Sequence, residues 1–113
     1  MHRLAFLAAT AAALTLSACA QSPSSIAPVS MGAAYDGIDC TRASIERQNA
    51  ATALAALSSK QKGAVAGDAV GVLLIGVPVS SLMGGDVSGQ IALEKGKVAS
   101  LDARLLGCSA GAL

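Results

Sequence analysis

The chain has 113 residues, with eight basic and seven acidic side chains and one His, for a formal charge of +1 at pH 7. Hydrophobic residues make up 53% and aromatics only 2%, so any core is Ala, Val and Leu packing, which suits close-packed helices better than a sheet sandwich. The length allows one small domain at most, and a charge this close to zero leaves no basic footprint for nucleic acid.

Met1-His2-Arg3 is a short basic start, and Leu4 to Leu16 is an uncharged run of Leu, Ala, Phe and Thr. Ser17-Ala18 then supplies small residues. Basic start, apolar stretch of about 7–15 residues and small-residue exit are the layout of a secretory signal, which predicts a signal peptide over 1–18. The run is too short to cross a bilayer, which takes about 20 apolar residues.

Leu16-Ser17-Ala18-Cys19 resembles the lipobox of bacterial lipoproteins. The resemblance covers about nineteen residues. It implies diacylglycerol on the Cys19 sulfur, signal-peptidase II cleavage between Ala18 and Cys19, and acylation of the new amino group by a fatty acid such as palmitate. It further implies a membrane partner through the anchor at Cys19. Ala20 follows where an inner-membrane retention signal would show Asp, so by the same family rule the protein goes to the periplasmic leaflet of the outer membrane.

Removal of residues 1–18 takes away the single His, Arg3 and Phe6. Seven basic and seven acidic residues remain, with Tyr35 as the last aromatic. Without His there is no Ser–His–Asp or Cys–His catalysis and no His-ligated metal. Aromatic stacking platforms for nucleic acid are missing as well. We therefore assign no catalytic residue, no metal and no cofactor, and read the chain as not an enzyme.

Residues 19–37 contain Gln21-Ser22-Pro23-Ser24-Ser25, Pro28, Ser30 and Gly32 without periodicity. This composition predicts a lipid-anchored flexible linker with an r.m.s. reach of roughly 25 Å. Residues 38–113 then read as one all-α unit, an antiparallel helical hairpin with arms at about 40–62 and 86–107. Asp39 is a candidate cap, and Arg42 to Lys62 is rich in helix formers without Gly or Pro. Its seam runs Cys40, Ala43, Arg47, Ala50, Leu54, Leu57, Gln61, with Arg47 and Gln61 as interruptions. Asp86 is the candidate cap of the second arm, whose seam runs Val87, Ile91, Glu94, Val98, Leu101, Leu105, Cys108. Glu94 interrupts this stripe, and Gly96 should cost its helix about 1 kcal/mol relative to Ala.

Cys40 and Cys108 lie symmetrically about residue 74, which is also the centre of the apolar stretch between the arms. A hairpin folded there brings them together. With Cys19 taken by lipid, an even pair remains in an oxidising compartment, which predicts a Cys40–Cys108 disulfide. On the chain-entropy model such a loop contributes roughly 4 kcal/mol. Intermolecular bridges are the alternative pairing.

The segment at about 63–85 is the apolar, Gly-rich tip. Gly63, Gly67 and Gly71 recur every fourth residue, a spacing that lets another backbone approach closely, and form a candidate association face. Ala69 to Met83 follows without a charge, and Pro78 lies inside it. Three readings are open: the run continues the arms and turns near Gly76-Val77-Pro78; it dips into a bilayer or docks on an apolar partner; or residues 64–83 span a membrane despite Asp68. Lys60 and Lys62 border the tip, and Lys95 and Lys97 lie on the second arm. They read as a solvated face or as contacts to lipid phosphates. The glycine spacing resembles that of glycine-zipper outer-membrane lipoproteins over nine residues, and the whole arrangement is similar to small lipoproteins of Gram-negative envelopes. Neither resemblance supplies an activity.

The leading expectation is a non-enzymatic, lipid-anchored envelope protein. Its structural or assembly role would run through self-association of the tip or its association with a membrane, with a homo-oligomer or an envelope protein as partner. The alternative is an accessory subunit whose tip docks onto a transporter or secretion complex. Membrane perturbation is a third class.

Overall fold

A computed structural model describes residues 19–111. The signal segment 1–18 lies outside the described residues, and Ala18 of the cleavage site with it. Three α-helices follow one another, α1 (Cys40–Ile75), α2 (Val79–Leu82) and α3 (Ser88–Gly111), after a single 3-10 turn at Pro23–Ser25. The fold is the antiparallel helical hairpin, with α1 and α3 as its long arms.

Helix α1 starts where Asp39 Oδ1 accepts the Arg42 backbone N–H at 2.8 Å. It ends at Gly76, whose φ of +76° is the left-handed cap conformation and whose N–H reaches the Val72 carbonyl at 3.0 Å. Pro78 prevents any resumption in line. The helix thus runs thirteen residues past the expected end of the first arm, straight through Gly63, Gly67 and Gly71. The reason lies in the seam. The alternating spacing of three and four that begins at Ala43 continues unbroken through Gln61, Ala64, Asp68 and Gly71, all of them buried. Of the expected second stripe, Val87 just before α3 and Ile91 and Leu101 on it are buried.

Four pairs fix the register, each centred near residue 74. Cys40 and Cys108 are disulfide-bonded with their Cα atoms 5.8 Å apart. Arg47 Nε donates to Asp102 Oδ1 at 2.8 Å. Gln61 meets Asp86 and Val87, and Asp68 meets Ser81. The bridge closes the base of the hairpin, at the end away from the turn.

Residues 19–37, expected as a flexible tether, are instead laid along the hairpin and with Ile38 form a strap. Asp39 and Asp68 are separated by about 43 Å of helix. The strap covers that length, well beyond the coil reach of roughly 25 Å. It is pinned along the way. The Ala20 N–H donates to Asp68 Oδ2 at 2.8 Å, and the Gln21 carbonyl accepts from Gln61 Nε2 at 2.9 Å. Lys95 Nζ donates to the carbonyls of Pro23 and Ile26 at 2.5 and 2.7 Å. The Val29 N–H reaches the Ala92 carbonyl at 2.9 Å, and Arg104 Nε reaches the Ile38 carbonyl at 2.9 Å. Ile26 is buried with Val87 and Ile91 against Leu54 and Leu57, so the strap contributes a side chain to the core.

Gly96 now has a physical account. The strap backbone passes so close that a Cβ there would collide with the Val29 carbonyl oxygen. In an isolated helix Gly→Ala gains about 1 kcal/mol. Here Gly96→Ala should lower stability instead, because the strap must lift. Hydrogen exchange should show the Val29 amide losing protection while the amides of α3 on either side keep theirs.

Candidate functional site

The end of the hairpin opposite the disulfide carries the features expected to matter, and it is assembled around one carboxylate. Asp68 sits on the seam of α1 and is only 1% exposed. Its Oδ2 accepts the Ala20 N–H at 2.8 Å and the Ser81 hydroxyl; its Oδ1 accepts the Ser81 N–H at 2.8 Å. One side chain therefore joins the strap, α1 and the loop-side helix α2. Burial pushes its pKa up, but the Ser81 hydroxyl and the N–H groups of Ala20, Ser81 and Ser80 outweigh that and hold it below the usual carboxylate value.

Gln61, two turns away, is fully buried. Its Nε2 donates to the Gln21 carbonyl and, at 3.0 Å, to Asp86 Oδ1; its Oε1 accepts the Val87 N–H at 2.7 Å. All three bonds tie separate segments together, so the residue that breaks the apolar stripe is a junction. Asp86 Oδ1 also accepts the Ser88 N–H at 2.9 Å at the start of α3. Burial pushes Asp86 up as well, and the bonds from Ser88 and Gln61 bring it below the ordinary carboxylate value.

The three glycines of the expected association face have different surroundings. A Cβ at Gly67 would collide with Ser80 Oγ, and one at Gly71 would lie 2.5 Å from the Val77 carbonyl oxygen and 2.8 Å from Val79 Cγ2. Gly63 has open space. Close approach does occur at two of the three, and what approaches is the chain's own turn and α2: the Ser80 side chain at Gly67, and the backbone of Val77 and Val79 at Gly71. The right signal was in the spacing; what it could not show was which backbone would use it.

What the hairpin leaves uncovered is the rest of this end. Leu73 is 84% exposed and Met83 82%, with Val70, Val72, Leu74, Ile75 and Leu82 also exposed. No charged residue lies between Asp68 and Asp86. The run thus turns near Gly76-Val77-Pro78, as the first of the three readings had it. The spanning reading is corrected: no helix among the described residues is long and apolar enough to cross a membrane, because Gly76 and Pro78 end α1. Cys19, next to the clamped Ala20, lies outside the disulfide and is half-buried at this same end.

Away from this end Arg42 pairs with Glu46 and Arg47 with Asp102. Lys97 Nζ donates to Glu94 Oε1 at 2.8 Å, which raises the Lys97 pKa, and Lys95 is committed to the strap. A cleft of about 200 Å³ beside Tyr35 is walled by Glu46, Glu94 and Lys97. Among the described residues no group of three His, Cys, Asp or Glu is placed to hold a metal ion. Comparison with protein-family models, with curated proteins and with solved structures finds no match.

A carboxyl whose folded pKa lies below its unfolded value of about 4 contributes stability that is fully present above that value and lost as pH falls through the lower folded one. The urea midpoint should therefore be flat from neutral pH to about 5 and fall below about pH 4. Asp68→Asn should be less stable at neutral pH, by about 1–3 kcal/mol for the donors left unpaired, with a shallower acid slope; Asp86 supplies the slope that remains. For the glycines, Gly63→Ala should gain up to about 1 kcal/mol from helix propensity. Gly71→Ala should instead destabilise and expose the amides of α2 to exchange.

Proposed function

We propose that the chain is a non-enzymatic lipoprotein of the bacterial outer membrane, anchored through Cys19, with a structural or assembly role in the envelope. The apolar end of the hairpin is its association surface. One observation carries this reading. The cysteine that closes Leu16-Ser17-Ala18-Cys19 stands at the same end of the molecule as the exposed Leu73, Leu74, Leu82 and Met83, with Ala20 clamped by Asp68. Two or three acyl chains hold far more firmly than one, since each buried methylene adds about 0.8 kcal/mol. The anchor therefore commits the protein to a membrane, and the disulfide at the far end suits an oxidising compartment.

Expression of the full chain in a Gram-negative host tests the reading. The purified protein should have the mass of residues 19–113 plus two or three acyl groups, fractionate with the outer membrane, and offer no Cys19 thiol to alkylation. Cys19→Ser should abolish the acyl mass. A wild-type protein with an alkylatable Cys19 and no acyl mass would remove the anchor, and an unanchored accessory subunit would then be the better reading.

A further inference from the structure

The apolar end is more than an unpartnered face, because its shape and its distance from Cys19 both select an occupant. Residues 72–75 point about 100° apart around the axis of α1, and Val72, Leu73, Leu74 and Ile75 are all exposed. The apolar surface thus surrounds the helix end. A second copy of the chain, or any flat partner, covers one side of such an end, whereas a fluid hydrocarbon phase covers every side. Of the face through which a second backbone would approach closely, Gly67 and Gly71 are already filled by Ser80, Val77 and Val79, and only Gly63 stays open.

The distances agree. Asp68 holds the strap seven residues before the end of α1, about 10 Å along the axis. Interfacial elements bury their apolar faces about 5–10 Å into the boundary between headgroups and acyl chains. When the apolar end is immersed to that depth, Ala20, and Cys19 beside it, lies at the level where lipid headgroups give way to hydrocarbon. Lys60 and Lys62 are exposed, about 9–12 Å further up the helix. Their flexible stems let the ammonium groups reach headgroup phosphates.

We infer that the ligand of the apolar end is the bilayer leaflet that carries the protein's own anchor: the Asp68 clamp sets the lipidated Cys19 at the same end as Leu73, Leu74, Leu82 and Met83, about 10 Å along the axis from the end of α1, and anchor and tip enter one leaflet together. This rests on the lipidation of Cys19 proposed above. The hairpin stands on its apolar end, with the Cys40–Cys108 bridge about 40 Å or more above the anchor level.

The chain contains no Trp, so single-Trp variants report depth cleanly. Leu74 at the tip and Leu106 near the base are both exposed, and neither substitution disturbs packing. The full chain carrying Leu74→Trp or Leu106→Trp is expressed in a Gram-negative host, and its mature form is purified. Intact mass before and after reduction establishes the acyl groups and the bridge. Each variant is then reconstituted into phosphatidylethanolamine–phosphatidylglycerol vesicles, with and without acyl-chain-brominated phosphatidylcholine. The expected result is blue-shifted emission at position 74 that loses most of its intensity to brominated lipid, with water-like, unquenched emission at position 106. Blue-shifted emission at 74 without bromine quenching means that protein covers the tip, and overturns the inference. Water-like emission at 74 in an acylated protein overturns it too, while leaving the anchor intact. Absence of acyl mass removes the anchor reading, and the shared leaflet falls with it; mass therefore distinguishes the two failures.

Discussion

Two helices cannot enclose a core. An antiparallel pair buries one stripe on each partner and leaves the groove beside the seam open, and here the seam is narrow, built from Ala43, Ala50, Ala64 and Gly71. A third layer is needed, and the chain supplies it with an extended strap. That choice brings a constraint of its own, since an irregular backbone with only isolated turn bonds has no continuous ladder, and its remaining N–H and C=O groups need partners when buried. Gln61, Asp68, Lys95 and Arg104 are those partners. The polar residues of the groove are therefore the means by which an irregular segment is allowed into the core. Pro23 and Pro28 fit the same logic, because each removes one N–H that would otherwise need an acceptor.

The strap also sets the polarity of the molecule. It runs from the turn end, where Ala20 meets Asp68, to the base, where Ile38 meets Arg104. The two ends are closed by different means. At the base a covalent bridge joins Cys40 to Cys108; at the turn a single carboxylate joins three segments. Any reach away from the N-terminal end therefore comes from the rigid length of α1, about 54 Å, rather than from a coil. The glycines divide accordingly. Gly67 and Gly71 admit the turn and α2, and Gly96 admits the strap, whereas Gly63 admits nothing.

Much of the hairpin was legible from residues alone. Asp39 as a cap, the second-arm stripe at Val87, Ile91 and Leu101, and the symmetry of Cys40 and Cys108 about residue 74 are local or arithmetical signals that packing does not override. The strap was not legible, because Pro, Ser and Ala describe a free linker and a docked one equally well. Everything that serves the strap was misjudged along with it. Gln61 looked like a flaw in the stripe, Gly96 like a weak point in a helix, and Lys95 like part of a solvated face. Asp68 looked like a single charge inside a candidate span. Each is polar or small because of a backbone that the sequence pattern does not place beside it.

The exposure of the turn end follows from the same shortage of layers. The strap begins at the level of Asp68, so nothing covers the last two turns of α1 except α2, which is four residues long and occupied with Gly67 and Gly71. Burial of a large apolar side chain is worth about 1.5–3 kcal/mol. Leu73, Leu74, Ile75, Leu82 and Met83 together leave about 8–15 kcal/mol unrealised, as much as the whole stability of a typical domain, about 5–15 kcal/mol. A chain that places its polar groups so economically in the groove, and leaves none of the described side-chain N or O atoms buried without a partner, has not left this surface exposed for want of sequence. A charge at any of those positions would have made the end compatible with water at no cost to packing. Its absence over seventeen consecutive residues, 69–85, leaves the turn end apolar on every side that the strap and α2 do not cover.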